Sequence, residues 1–278
     1  MEFSITRFGI GLLSGIIISL LAWRARALDR SGAIAATLSG GLIFGLGGLP
    51  WATLLLAFFI SSSALSRLFA RRKAALSEKF SKGSQRDWGQ VLANGGLGAL
   101  LAIAHAAWPE ESWPWLAFAG AMAAVNADTW ATEIGVFNAM PPRLVTSGKA
   151  VERGTSGAIS LTGSLAALGG AALIAGLASA LSGWMKPRTG EILGILAAVI
   201  LGGVGGAFFD SVLGATVQAI YYCPTCQKET ERHPLHTCGT PTRQMRGWKW
   251  LNNDMVNLAA SAAGATLATA VSYLAGII

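Results

Sequence analysis

Ile192-Leu193-Gly194-Ile195-Leu196-Ala197-Ala198-Val199-Ile200-Leu201-Gly202-Gly203-Val204-Gly205-Gly206-Ala207-Phe208-Phe209 is a run of eighteen residues without a charge, and Asp210 follows it directly. At 1.5 Å per residue such a run extends about 27 Å as a helix, close to the roughly 30 Å hydrocarbon core of a bilayer. The run therefore reads as the centre of a membrane span over 189–220. Its glycine pairs either let neighbouring helices approach closely or mark an unwound stretch lining a polar cavity.

The rest of the chain repeats the pattern. Apolar runs at 7–22, 33–49, 51–69, 90–108, 114–133, 156–184 and 254–277 complete a set of eight candidate spans. Gly47-Gly48-Leu49-Pro50 is a tight turn between the second and third. Of the 278 residues, 53% are hydrophobic and 13% charged, and mean hydropathy is +0.51. A soluble domain carries about 25% charged residues. The expected fold is an all-α polytopic membrane bundle, residues 1–278 forming one membrane domain with a small metal-binding loop at 221–250. No strand-period alternation and no clean internal repeat is visible. Residues 8–22 also resemble a signal-peptide core, but Arg7 is offset by Glu2, so a retained first span is expected.

The net charge of +7 does not point to nucleic acid, because the charges lie between apolar runs. Loop one holds Arg24, Arg26 and Arg30; loop three holds Arg67, Arg71, Arg72, Lys73, Lys79, Lys82 and Arg86. Loop five holds Arg143, Lys149 and Arg153; loop seven holds Lys228, Arg232, Arg243, Arg246 and Lys249. These are eighteen of the 21 basic residues. By the positive-inside rule the odd loops are cytoplasmic and both termini external, in what reads as a prokaryotic cell membrane.

Ionisable groups within spans are costly and mark function. Asp128 and Glu133 lie near the cytoplasmic end of span five, and Asp210 lies in the cytoplasmic half of span seven. Asp254 and Asn94 open spans eight and four from the same side. At about 100° per residue, Asp210, Ser211, Gly214 and Gln218 share one helix face, and Asn253, Asp254, Asn257 and Ser261 repeat the pattern. Glu133 points roughly 140° away from Asp128, so both acids on one ion would need a break in the helix. Carboxylates and amides of this kind are hard ligands suited to Mg²⁺ held with substrate phosphates. The competing reading is helix-end carboxylates paired with basic residues at headgroup depth.

Loop five runs Thr146-Ser147-Gly148-Lys149-Ala150-Val151-Glu152-Arg153-Gly154-Thr155-Ser156-Gly157 into span six. Glycines let backbone amides approach a phosphate, Thr155 or Ser156 is a candidate helix cap, and Lys149 and Arg153 add charge. The spacing is not that of a Walker A loop, since Ala150 follows Gly148-Lys149. A basic loop touching lipid headgroups is the alternative. The three cysteines all fall in loop seven: Cys223-Pro224-Thr225-Cys226 is followed by His236-Thr237-Cys238. Three sulfurs and one imidazole make a closed, structural zinc set, with His233 as an alternative fourth ligand.

These motifs resemble the membrane family of phytyl-phosphate kinases and transmembrane protein 19-like proteins. The likeness runs through Ser31 to Ala36, Gln90 to Gly96, Asn126-Ala127-Asp128-Thr129-Trp130-Ala131-Thr132-Glu133-Ile134-Gly135, Thr146 to Gly157, Gly205 to Ser211 and Asn253 to Asn257. A looser likeness extends to CTP-dependent phytol and dolichol kinases. The resemblance implies CTP-dependent phosphorylation of an isoprenoid monophosphate, such as phytyl phosphate, to the diphosphate. On that basis Asp128, Asp210 and Asp254 hold Mg²⁺ or position the acceptor. Lys149, Thr155 and Ser156 bind nucleotide phosphates, with Asn94, Arg153, Gly154, Gly157, Ser211 and Asn257 around them. Asn126 and Ala158 depart from the family pattern, where a small residue and a glycine are usual. Two rivals from other classes remain at this stage, an ion-coupled carrier and a cytidylyltransferase acting on a lipid phosphate. A carrier would place its site at mid-membrane rather than near one boundary.

Overall fold

The structure, a computed structural model, describes residues 5–73, 85–185 and 189–278. Helix boundaries follow local chemistry. α1 (Ile5–Arg24) turns into α2 (Arg30–Gly47), whose N-cap Asp29 accepts from the Gly32 amide at 2.7 Å. Gly48, at φ 77°, ends α2, and α3 (Leu49–Lys73) begins at once. Asp87 and Gln90 form a reciprocal capping box at the start of α4 (Trp88–Ala107). Pro114 sits in the first turn of α5 (Trp113–Gly135), where its missing N–H costs nothing. Then come α6 (Leu161–Ala180), a short 3₁₀ turn at Ser182–Met185, α7 (Thr189–Thr216) and α8 (Asn253–Leu274).

Eight long helices thus stand where eight apolar runs were read. Five are long and apolar enough to cross a membrane by length and composition: Leu49–Ala70, Trp88–Ala107, Leu161–Ala180, Gly190–Thr216 and Asn253–Leu274. The apolar part of α1, Phe8–Arg24, is shorter. α5 is the axis of the bundle. Pro114 through Ala127 are buried without a gap, and α5 packs on α3, α4, α6, α7 and α8. A helix enclosed by other helices does not have to present an apolar face to lipid. Trp115 and Phe118 cluster with Trp51 at its N-terminal end.

Small residues set the helix spacing. A Cβ on Gly203 would lie 2.8 Å from the Ala123 Cβ, and one on Gly206 would lie 2.5 Å from the Ala124 Cβ. A Cβ on Gly264 would likewise come within 2.6 Å of Ala124. The glycine run of α7 is therefore a close-contact surface on α5 and α8; the helix stays continuous through it, which removes the unwound alternative. Asn126, the departure from the family pattern, is fully buried and ties helices together. Its Nδ2 donates to the Gly170 carbonyl at 2.8 Å, and its Oδ1 accepts from Ser61 at 3.0 Å.

Two expectations need correction. Span six begins at Leu161, not 156, because Ala158–Ile159 (β2) pairs antiparallel with Arg143–Leu144 (β1) and the chain is extended up to Ser160. The helix cap is Ser160, accepting from Gly163 N at 3.1 Å, rather than Thr155 or Ser156. Loop seven also contains strands the alternation did not reveal: β3 (Ile220–Cys223) lies between β4 (Lys228–Thr230) and β5 (Arg243–Arg246). Strands of three or four residues are too short to show a period.

Candidate functional site

The described parts of the odd loops meet at one end of the bundle. Arg67 donates to the Ala25 carbonyl, joining the end of α3 to the α1–α2 turn. Ser66 of α3 donates to Glu133 Oε1 at 2.8 Å near the end of α5. Loop five docks on α7 through Gly157. With φ at 79°, its α-carbon lies so close to Ala215 that a side chain would strike the Ala215 amide at 2.2 Å. The metal-loop module is zipped across its base by Ala219 N to Leu251 O and Trp248 N to Val217 O, both 2.9 Å, which couples the end of α7 to the start of α8.

Within this end lies a cavity of about 560 Å³. Asp128, Asp210, Ser211, Asn94 and Asn257 line it, as do Arg153, Gly154, Thr155, Ser156 and Gly157. They come from five pieces of chain: the C-terminal halves of α5 and α7, the N-terminal halves of α4 and α8, and loop five. Ser160, Gly163 and Ser164 present the first turn of α6 to the same space. A helix N-terminus carries partial positive charge, suited to an anion, and here Ser160 Oγ and Asn138 Oδ1 already accept from the Gly163 and Thr162 amides. Two sequence candidates fall elsewhere. Asp254 is buried beside Asn253 and is not among the lining residues; Lys149 is exposed at the turn of the β1–β2 hairpin.

Asp128 and Glu231 are charged neighbours of Asp210, and Asp210 Oδ2 is buried with no hydrogen-bond partner among the described residues. A buried carboxylate oxygen with acidic neighbours fits a cation-binding arrangement of hard oxygen ligands. Glu133 also lines the cavity, but it is engaged by Ser66 and by the charge of Arg86.

Loop five is held in place by polar ties. Ser156 Oγ donates to Gln218 Oε1 at 2.6 Å, and Gln218 Nε2 donates to Glu231 Oε1 at 2.9 Å. Arg153 Nη2 donates to the Asn138 carbonyl at 2.6 Å and the Ala139 carbonyl at 3.3 Å. These bonds commit Arg153 in part to the loop's own backbone. In the module itself, ligand atoms of Cys223, Cys226, His236 and Cys238 all lie within 4.8 Å of one another. Cys223 Sγ is 3.6 Å from Cys238 Sγ, and His236 Nδ1 is 3.4 Å from Cys238 Sγ. Soft sulfurs with one imidazole at this spacing can hold a metal and are compatible with zinc. His233 instead stacks on Tyr221, ring centroids 4.4 Å apart.

Gln218 lines the cavity on the Asp210 face as the helix period predicts, whereas Arg86, Gln90 and Glu231 were not foreseen as site residues. Arg86 was counted only as a loop charge. Its guanidinium lies over Phe58 and Phe59, at 5.3 and 5.5 Å from the ring centroids. Burial lowers its pKa to about 10, against the opposing pull of Glu133, so it is charged at neutral pH. The Asp-x-x-Gln capping pattern at Asp87 and Gln90 was the available signal, since it fixes the preceding residue at the mouth of α4.

Residues 13–265 match the family described as integral membrane protein DUF92. Protein PGR of Arabidopsis thaliana is 31% identical over 263 residues, covering 87% of this chain and 89% of its own. An uncharacterized membrane protein of Methanocaldococcus jannaschii is 32% identical over 212 residues, 76% of this chain and 84% of its own. Protein VTE6, chloroplastic, of Arabidopsis thaliana is 27% identical over 237 residues, 83% of this chain and 61% of its own. No solved structure matches the chain at a significant level. The resemblance drawn from the motifs is borne out at the level of the family.

Proposed function

The chain belongs to the integral membrane protein DUF92 family, and on that premise we propose that it is a membrane kinase. It transfers the terminal phosphoryl group of a nucleoside triphosphate to an isoprenoid monophosphate. By the resemblance the donor is CTP and an acceptor such as phytyl phosphate is converted to the diphosphate. The observation that carries this reading is one cavity holding both halves of a phosphoryl-transfer site. Carboxylates Asp128 and Asp210 line it together with loop five and the N-terminus of α6.

In the reaction an acceptor phosphate oxygen forms a new P–O bond to the terminal phosphorus as the bond to the bridging oxygen breaks. A prenyl diphosphate and a nucleoside diphosphate result. Two anions must approach, so repulsion is the main barrier. Asp128 and Asp210 would hold Mg²⁺, whose positive charge would offset that repulsion. The amides at Gly154 and Gly157, the Thr155 hydroxyl and the first turn of α6 would bind the donor phosphates. Ser156, tied to Gln218, keeps that loop in register. Lys149, exposed on the hairpin, would meet the incoming nucleotide. The acceptor is already an anion, so no general base is required.

All eight helices would cross the membrane, with the cavity end and the metal module cytoplasmic. The cavity sits at the helix ends rather than at mid-bundle, which favours a kinase over a carrier. The test is a magnesium-dependent assay of the purified protein against a panel of isoprenoid monophosphates and nucleoside triphosphates. Asp128→Asn and Asp210→Asn are each expected to reduce turnover by roughly a hundredfold or more, as loss of transition-state charge stabilisation does. Near-normal activity in both would refute the site.

A further inference from the structure

We propose that the apolar cleft between α1, α2, α3 and α4 receives the isoprenoid unit nearest the phosphate of a prenyl monophosphate, with Arg86 binding that phosphate. The proposal rests on the kinase reading and identifies the acceptor side of its site.

The cleft has a volume of about 90 Å³ and walls from four helices, among them Ile18, Phe44, Leu55 and Phe59. Ser39 on its wall turns its hydroxyl back to the Ala35 carbonyl, at 2.8 Å. Arg86, Gln90 and Asn94 line both this cleft and the polar cavity. An apolar slot therefore borders, at a cation and two amides, the space that holds Asp128 and Asp210. That sequence of environments, hydrocarbon, then fixed positive charge, then reaction space, matches an amphiphile with an apolar chain and an anionic head.

Arg86 is built for a fixed partner. Its backbone is pinned, with its amide donating to the Ala27 carbonyl and its carbonyl accepting from the Asp29 amide, each at 3.1 Å. Phe58 and Phe59 hold the guanidinium plane. Nη1 is buried with no hydrogen-bond partner among the described residues, although Glu133 supplies a neighbouring negative charge. A buried guanidinium donor left open is costly, and a phosphate monoester is the planar-fork acceptor it suits.

Size narrows the specificity. A site that swallows a whole drug-sized ligand has roughly 300–1,000 Å³, several times the 90 Å³ here. The cleft grips only the head-proximal segment and leaves the remaining chain to the bilayer. Acceptors of different chain length should therefore bind alike, whereas changes to the first unit should matter.

The test uses the full-length protein in phosphatidylcholine vesicles and a prenyl phosphate bearing a photoreactive diazirine on the first isoprenoid unit, with labelled peptides mapped by mass spectrometry. Label is expected on cleft-lining residues of α1 to α4, displaced by unlabelled prenyl phosphates of several lengths and not by equal phosphatidic acid. Arg86→Met should cut this labelling by about tenfold, the scale of one charged hydrogen bond, and Arg86→Lys should recover part of it. Gly40→Leu is the second variant. A Cβ there would lie 3.8 Å from Leu55 Cδ2, so the backbone admits it while the rest of the side chain fills the cleft. Label on α6 to α8, equal displacement by phosphatidic acid, or indifference to both Arg86→Met and Gly40→Leu would overturn the proposal. Turnover with label elsewhere would refute the cleft and spare the kinase reading. Cleft labelling without turnover by any nucleoside triphosphate would support the cleft and refute the kinase.

Discussion

Gly206→Ala should disturb the candidate metal site from a distance, because Gly206 touches the helix that carries Asp128. The added Cβ would lie 2.5 Å from the Ala124 Cβ and 2.8 Å from the Ala260 carbonyl oxygen. Carbon atoms settle at about 3.5–4.0 Å, so α7 must withdraw from α5 by about 1 Å. Asp128 follows Ala124 by four residues, and Asp210 follows Gly206 by four, so both carboxylates lie about 6 Å along their helices from the wedge. Overpacking of this kind costs roughly 1–3 kcal/mol. A misplacement of about 1 Å at a reacting centre can cost on the order of a hundredfold in rate. Gly205→Ala is the internal control, since its Cβ would meet only the Leu267 Cδ2 tip, at 2.5 Å, which can rotate away. Denaturant unfolding in detergent and a Mg²⁺ titration of turnover read the two consequences separately. Gly206→Ala should lose stability and need more Mg²⁺, while Gly205→Ala stays near the parent on both. Equal behaviour of the two variants would show that the α5–α7 contact does not set the carboxylate spacing.

Further expectations follow from other parts of the molecule. Protein purified without chelators should carry about one zinc per chain by elemental analysis; Cys226→Ser should lose metal and stability together, whereas His233→Ala should keep the metal. A metal content near zero in the parent would refute the assignment. Gln218→Leu should remove the ties to Ser156 and Glu231 and raise the nucleotide KM several-fold, the scale of about 1 kcal/mol in loop positioning; an unchanged KM would mean the loop holds itself. For topology, cysteines introduced at Phe3, Ser84 and Ser112 should react with an impermeant thiol reagent in intact cells at the first and third positions only. External labelling at Ser84 would reverse the orientation.

The membrane class, the approximate helix positions and the convergence of Asp128, Asp210, Asn94 and Asn257 at one end were legible in the sequence. They follow from one-dimensional quantities: the length of apolar runs, the alternation of basic loops and the angular period of a helix. The candidate metal-ligand set was legible as well, because Cys223-x-x-Cys226 and His236-x-Cys238 place their ligands by local spacing. Whether His233 or His236 joins the cysteines depended on the fold, since only the sheet stacks His233 on Tyr221. The real start of α6 was hidden because pairing of β1 with β2 overrides an otherwise apolar, glycine-rich run. The unbroken path of α7 through four glycines was likewise decided by contacts with Ala123, Ala124 and Gly264 that no local propensity encodes. The placement of Arg86 is the clearest case. In the sequence it is one of seven loop charges. In the fold it is drawn under Phe58 and Phe59 at the junction of an apolar cleft and a polar cavity, because a buried cation's position is set by residues far from it along the chain.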